Sequence, residues 1–155
     1  MFMKKIICLF VIIICIGGVC SAQAKSVYFE LGGPGLASVN FDSRFKGEAG
    51  LGGRIGVGGF SIDQQSIVFI PIGLNYILGK DNRNYFEMGA GVTPVLTNIE
   101  DDNGDNFTST FGHLLFGYRM QPVNGGFTFR AFINPVFGKG FFVPYYGGLS
   151  FGYKF

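Results

Sequence analysis

Nine ionisable side chains share one property: Glu30, Asp42, Arg44, Arg54, Glu87, His113, Arg119, Arg130 and Lys154 each stand at the polar position of a segment in which apolar and polar residues alternate. Carboxylates and guanidiniums gathered on one face can form a buried ion-pair network, line a path for a solute, or hold a small ligand. A buried charge without a partner is heavily penalised, so Glu30, Asp42 and Glu87 are expected to pair with Arg44, Arg54, Arg119 and Arg130. His113 is the sole histidine. A His–Ser hydrolase needs a hydroxyl within reach of the imidazole and a carboxylate to orient the ring. Ser109 shares the parity of His113 but would lie roughly 13 Å away along a strand, so no catalytic residue is assigned and no enzyme is expected. Asp101-Asp102-Asn103-Gly104-Asp105-Asn106 offers the hard oxygen ligands of a calcium loop. The EF-hand spacing wants glycine and glutamate where Asn106 and Gly112 stand, so a solvated loop is expected and no metal site. The glycine run Gly52–Gly58 is followed by no helical pattern; glycine in strands more often marks close packing, and no cofactor is expected.

These residues must be positioned by strands. No segment after Lys25 has helical periodicity, whereas period-2 alternation occurs over Ser26–Gly33, Leu36–Phe45, Ala49–Phe60, Ile67–Leu78, Tyr85–Thr97, Thr108–Met120, Phe127–Phe137 and Val143–Phe155. In each, one face is apolar and often aromatic, and the other carries Gly, Ser, Asn and the charges. Most of these segments have a length near the roughly 9–11 tilted residues that cross a bilayer. Lys46-Gly47-Glu48, Gly79–Asn84 and Gln121–Gly126 are expected as inner turns; Asn98–Asn106, the longest and most acidic join, is expected to face outside.

Alternation alone does not say which face meets solvent. A water-soluble barrel would hydrate its polar face with Lys, Glu and Thr. Here that face is small and sparsely charged, as suits the crowded interior of an eight-stranded barrel. Every strand charge falls on it, and Tyr76, Tyr118, Phe137, Tyr145, Tyr153 and Phe155 lie on the apolar face near strand ends, where membrane barrels carry aromatic girdles. Closure is also required: in lipid every backbone N–H and C=O must be paired, so the first and last strands must meet.

The beginning of the chain agrees. Met1–Lys5 is basic, Ile6–Val19 is apolar, and Ala22-Gln23-Ala24 is an A-x-A cleavage site, so residues 1–24 are expected to be a removable signal peptide and residues 25–155 the folded domain. The apolar run is short for the roughly 20 residues of a spanning helix. Cys8, Cys15 and Cys20 all fall in that leader, and Val19 stands where a lipoprotein site wants a small residue. The remaining chain has no cysteine, hence no disulfide, thiol nucleophile or thiolate-bound metal. Its charges balance, and no basic stripe points to nucleic acid.

The ending Leu149-Ser-Phe-Gly-Tyr-Lys-Phe155, with Phe151, Tyr153 and Phe155 on one face, resembles the closing strand of bacterial outer-membrane β-barrels, in which it serves as an assembly signal. The mature chain resembles the small eight-stranded outer-membrane protein A and X group. That resemblance implies an all-β, antiparallel, up-and-down transmembrane barrel in the outer membrane of a Gram-negative cell. It implies insertion by the barrel-assembly machinery and its periplasmic chaperones, contact with outer-membrane lipid and lipopolysaccharide, and a monomeric state. Some small outer-membrane barrels are lipid A deacylases with a serine two residues after the histidine; here that position is Leu115. The expected role is structural, with the lumen plugged by Glu30, Asp42, Arg44, Arg54, Glu87, His113, Arg119 and Arg130. The alternatives are a narrow, porin-like channel for small solutes or a lipid A-modifying enzyme.

Overall fold

The computed structural model describes residues 23–62, 65–100 and 106–155. The expected leader therefore lies outside the described residues except for Gln23 and Ala24, as does the acidic run at 101–106 except for Asn106. The described chain forms β1 (Lys25–Gly32), β2 (Ala37–Arg44), β3 (Gly50–Ile62), β4 (Gln65–Phe69), β5 (Ile72–Leu78), β6 (Asn84–Glu100), β7 (Asn106–Met120), β8 (Gly126–Ile133), β9 (Val136–Gly138), β10 (Phe141–Val143) and β11 (Gly147–Lys154). A 3₁₀ turn, Gly33–Gly35, joins β1 to β2.

Every ladder is antiparallel, and the sheet closes on itself because β1 pairs with both β2 and β11. The eleven segments make eight spans, since β4 with β5, β8 with β9, and β10 with β11 are each one span interrupted. The expected continuous strands Ile67–Leu78, Phe127–Phe137 and Val143–Phe155 are thus broken, at Ile70-Pro71, Asn134-Pro135 and Pro144–Tyr146. Proline has no N–H to give the ladder. At Pro71 and Pro135 it leaves the period of the side chains untouched, so alternation does not reveal those breaks; across Pro144–Tyr146 the parity reverses, because Val143 pairs with the inward Val136 whereas Gly147 pairs with the outward Ile133. The carbonyls compensate at two of them: Pro71 O accepts from Gly56 N (2.9 Å) and Pro135 O from Leu114 N (2.9 Å). The expected outer loop Asn98–Asn106 is also shorter than its polarity suggests. The β6–β7 ladder shifts register after Leu96 and still pairs Glu100 with Asn106.

The joins at 45–49, 79–83 and 121–125 lie at one end of the barrel with both ends of the described chain. Phe155 N donates to Lys25 O (3.0 Å) and Ala24 N to Gly47 O (3.1 Å). We call this the inner end. The strands are strongly tilted: the lateral row that starts at Ser26, at the inner end of β1, runs through Asp42, Arg54, Gly73, Gly91 and His113 to Val136, at the opposite end of its span. Tilt of this kind accompanies closure of a small barrel with a packed interior.

The barrel is inside out. Val27, Phe29, Leu31, Val39, Phe41, Ile55, Leu74, Met88, Phe116, Phe127, Leu149 and Phe151 are exposed, whereas Glu30, Asp42, Arg44, Arg54, Glu87, Arg119 and Arg130 are buried. Such an exterior suits hydrocarbon. Facing water it would leave a continuous apolar belt unpaid for by any burial. The aromatics Tyr76, Tyr118, Phe137, Tyr145, Tyr153 and Phe155 are all on the exposed face. Inside, large residues sit opposite glycine on the neighbouring strand: Arg44 faces Gly52, Asn40 faces Gly56, Tyr28 faces Gly152 and His113 faces Gly91. A Cβ at any of these glycines would collide with that partner's side chain. The glycines of the polar face are therefore the space in which the lumenal side chains lie.

Candidate lumenal site

The inner layer of the lumen is built around Asp42, the inward residue of β2 two positions before Arg44. Its carboxylate accepts from Arg44 Nη2 (2.9 and 2.8 Å), Arg119 Nη2 (2.9 Å) and Asn75 Nδ2 (2.6 Å). Glu87 of β6 accepts from Arg119 Nη1 (3.4 Å) and from Asn75 Nδ2. Arg130 of β8 lies 3.3 Å from both Asp42 and Glu87. Arg44 also donates to Gly50 O (2.9 Å), and Arg119 to Ser26 Oγ (3.3 Å) and to Gln121. Beneath this cluster Gln121 Nε2 donates to Glu48 O (3.2 Å), and Lys154 pairs with the Glu48 carboxylate while donating to Pro122 O (3.0 Å). Residues from β1, β2, β5, β6, β7, β8 and β11 thus converge, cross-tied around the whole wall.

One level outward the bonding thins. Arg54 of β3 donates through Nη2 to Glu30 Oε1 (2.9 Å) and Asn40 Oδ1 (3.2 Å). Asn40 donates in turn to Ser38 Oγ (2.8 Å). Both Arg130 and Arg54 lie over the Tyr28 ring, with Cζ 4.0 and 5.9 Å from its centroid. Such cation–π contacts partly offset the cost of burying a guanidinium. Yet Arg54 Nε and Nη1, Arg130 Nη1 and Nη2, Tyr28 Oη, Ser150 Oγ and Glu30 Oε2 are buried without a hydrogen-bond partner in the protein.

Above these residues the interior turns apolar. Leu115 and Phe132 are buried across the lumen, and Phe69 and Phe111 continue inward near the outer mouth. Phe60, Phe69, Phe111 and Phe141 make a chain of ring contacts at 6.3–6.4 Å between centroids. A cleft of about 300 Å³ opens there, lined by Leu36, Phe69, Phe111, Val136, Phe141 and Val143 among others. His113 is buried beside it, with Nδ1 3.2 Å from Thr93 Oγ1. Leu115, two residues on, supplies no hydroxyl; the hydroxyl beside the ring is that of Thr93, and among the described residues no carboxylate is bonded to the ring.

The structure brings seven of the sequence-selected lumenal residues, Glu30, Asp42, Arg44, Arg54, Glu87, Arg119 and Arg130, into this pair of layers and sets His113 apart from them. It also adds residues that charge alone does not single out. Asn75 bridges Asp42 and Glu87, Gln121 caps Arg119, and Tyr28 carries two guanidiniums on its ring. Their signal in the sequence is parity: Tyr28 and Asn75 are inward positions of β1 and β5, and Gln121, the residue after β7, continues the inward parity of that strand. Phe151, Tyr153 and Phe155 are on the outer face, where Phe151 packs against Phe129 (5.4 Å) and Phe127 (6.5 Å).

No protein-family model matches the sequence, and no curated protein matches it either. Among solved structures the chain is similar to the N-terminal β-barrel domain of Pseudomonas aeruginosa OprF, with 12% identity, a TM-score of 0.62, and coverage of 86% of this chain and 96% of that one. The two share a fold. Ail, the attachment invasion locus protein of Yersinia pestis, crystallised with the heparin analogue sucrose octasulfate, aligns at 14% identity over 86% of this chain and 95% of its own. Its TM-score of 0.42 is too low for that likeness to bear on fold or role.

Proposed function

We propose that this chain is an integral outer-membrane β-barrel with a structural, envelope-maintaining role, and that its lumen is closed and non-catalytic. The observation that carries this reading is the inner layer. Asp42, Arg44, Asn75, Glu87, Arg119 and Arg130 are cross-bonded at 2.5–3.4 Å over the full width of the barrel, and Leu115 and Phe132 lie buried above them. A solute crossing would have to break several charge-assisted bonds at once, each stronger than a neutral one. An eight-stranded barrel has little lumen to spare beyond its own side chains.

Support for the membrane setting comes from the exposed apolar exterior and from burial of the strand charges. In this reading residues 1–24 direct export and are removed. Phe151, Tyr153 and Phe155 form the signal for periplasmic chaperones and the barrel-assembly machinery, and the mature barrel is a monomer surrounded by outer-membrane lipid and lipopolysaccharide. The expected outcome in planar bilayers is no conductance step above background. Regular single-channel steps from the purified chain would overturn the closed lumen in favour of a narrow channel. Extracted from outer membranes in detergent, the folded barrel should migrate compactly on gels unless boiled. A band indifferent to boiling would count against the membrane barrel itself.

A further inference from the structure

The inward-facing charges of the two layers do not balance. Arg44, Arg54, Arg119 and Arg130 oppose Glu30, Asp42 and Glu87, while Lys154 is matched by Glu48 at the inner end. One guanidinium is in excess among the described residues. Arginine does not discharge by losing its proton, so the surplus must be met by something other than titration. The hydrogen bonds locate it. In the inner layer Arg44 and Arg119 lack a partner only at Nε, and their remaining nitrogens are engaged on Asp42, Glu87, Asn75, Gln121 and backbone oxygens. One level outward, Arg54 has two nitrogens without an acceptor and Arg130 a third, Nη1, while its Nη2 has only the 3.3 Å ion-pair contact to Asp42; they are flanked by the unpartnered hydroxyls of Tyr28 and Ser150. Ser150 is the lateral neighbour of Arg130 and of Glu30, and the guanidiniums of Arg54 and Arg130 share the Tyr28 ring. Arg54, Arg130, Tyr28 and Ser150 are each at least 96% buried.

Charge and donors therefore point the same way. We infer that the lumen binds one small monovalent anion of the halide class, held by Arg130 and Arg54 with the hydroxyls of Tyr28 and Ser150. Water alone would satisfy the donors and leave the buried surplus charge uncompensated, at a cost well above that of an unmet neutral group. The free oxygen of Glu30 repels an anion and sets its position: Glu30 Oε1 is committed to Arg54, so the anion lies on the Arg130 side of the layer. The inference rests on the fold and its lumen, and holds whether or not the barrel conducts.

The test uses the full-length mature chain, refolded in detergent so that the lumen assembles in the presence of the chosen salt. Unfolding midpoints are compared in sodium chloride, sodium bromide and sodium gluconate at equal ionic strength. Stabilisation that saturates with chloride or bromide and is absent with gluconate is expected. At a halide concentration about 100 times the dissociation constant, the folded-to-unfolded ratio should rise about 100-fold over the gluconate sample. Equal midpoints in all three salts would overturn the proposal and leave water as the occupant. Arg130→Gln removes the surplus charge and should abolish the halide response. Because that variant also loses contacts to Asp42 and Glu87, the paired variant Tyr28→Phe with Ser150→Ala is measured too. It keeps every charge and should move half-saturation to higher halide. An unchanged half-saturation point in that variant would overturn the assigned position.

Discussion

The two lumenal layers use the same vocabulary and reach opposite states. In the inner layer Asp42 meets Arg44, Arg119 and Asn75, and Glu87 meets Arg119 and Asn75, so two carboxylates serve as the hub for several donors. In the outer layer Glu30 meets Arg54 through a single oxygen, and Arg130 is stranded between the Asp42–Glu87 cluster and the Tyr28 ring. The same arginine is a structural tie where acceptors surround it and an electropositive site where they do not. What separates the layers is supply of acceptors. Asn75 and Gln121 carry amides to the inner level, whereas the outer level has the single amide of Asn40 and is closed above by Leu115 and Phe132. Full satisfaction makes a buried polar network rigid, and partial satisfaction makes it responsive to a ligand.

The contrast is sharpest in single substitutions. Asp42→Asn should be the most damaging conservative change in the chain. It keeps the shape and removes the charge shared by Arg44, Arg119 and Arg130, and breaking a buried pair from one side costs about 3–5 kcal/mol. The urea midpoint for loss of the compact gel band in lipid vesicles reads this directly. A midpoint within error of the wild type would mean that the inner layer does not brace the barrel. An arginine given no layer at all is the next case. Leu74, exposed on β5 between the inward residues Gly73 and Asn75, faces the proposed hydrocarbon. Leu74→Arg should cost roughly 2–4 kcal/mol if it lies near mid-membrane, and much less in a barrel bathed by water.

How far these layers are legible in sequence follows from what alternation does and does not encode. Parity puts Glu30, Asp42, Arg44, Arg54, Glu87, Arg119 and Arg130 on one face, because a strand turns every second side chain the same way. Level is a different matter. Arg44 and Arg54 are equivalent by parity, yet Arg44 meets Asn75 across the ladder because Gly52 is the lateral neighbour of both. That stagger belongs to strand register, which a single sequence leaves open. The breaks at Pro71 and Pro135 are hidden for the related reason that a proline interrupts hydrogen bonding while the inward–outward rhythm continues through it; at Pro144 the rhythm reverses, a change of register that apolar residues on both sides of the break conceal. His113 shares the parity of the charged residues, but its level places it by Thr93 and the apolar mouth, outside the ion-pair network.

Glu30→Gln should fall below both earlier changes, and by that difference measure the outer layer. It removes one charge-assisted bond to Arg54 and keeps a neutral acceptor, for about 1–3 kcal/mol. The lumenal surplus also grows by one charge, so the halide response described above should strengthen in this variant. If Glu30→Gln proved as costly as Asp42→Asn, the two layers would be energetically alike and the distinction drawn between them would fail.

The smallest effect is expected outside both layers, at the exposed inner turn, and it serves as the baseline for the rest. Asp81 accepts from the Asn84 side chain, from Asn84 N (2.7 Å) and from Arg83 N (3.1 Å). Those bonds, the Asn84 side chain first, hold its carboxyl below the ordinary range. A depressed carboxylate contributes stability that is complete above its unfolded value, about 3.9, and that disappears as pH falls through the folded value. Asp81→Asn removes this titration and leaves every lumenal carboxylate in place, so their contributions cancel when the two proteins are compared. The wild type should therefore be slightly more stable than the variant at about pH 5, and the gap should close below the ordinary aspartate value of about 3.9. A gap that widened on acidification would mean that the turn is coupled to the carboxylates of the lumen, and the separation of inner layer from inner turn would have to be abandoned.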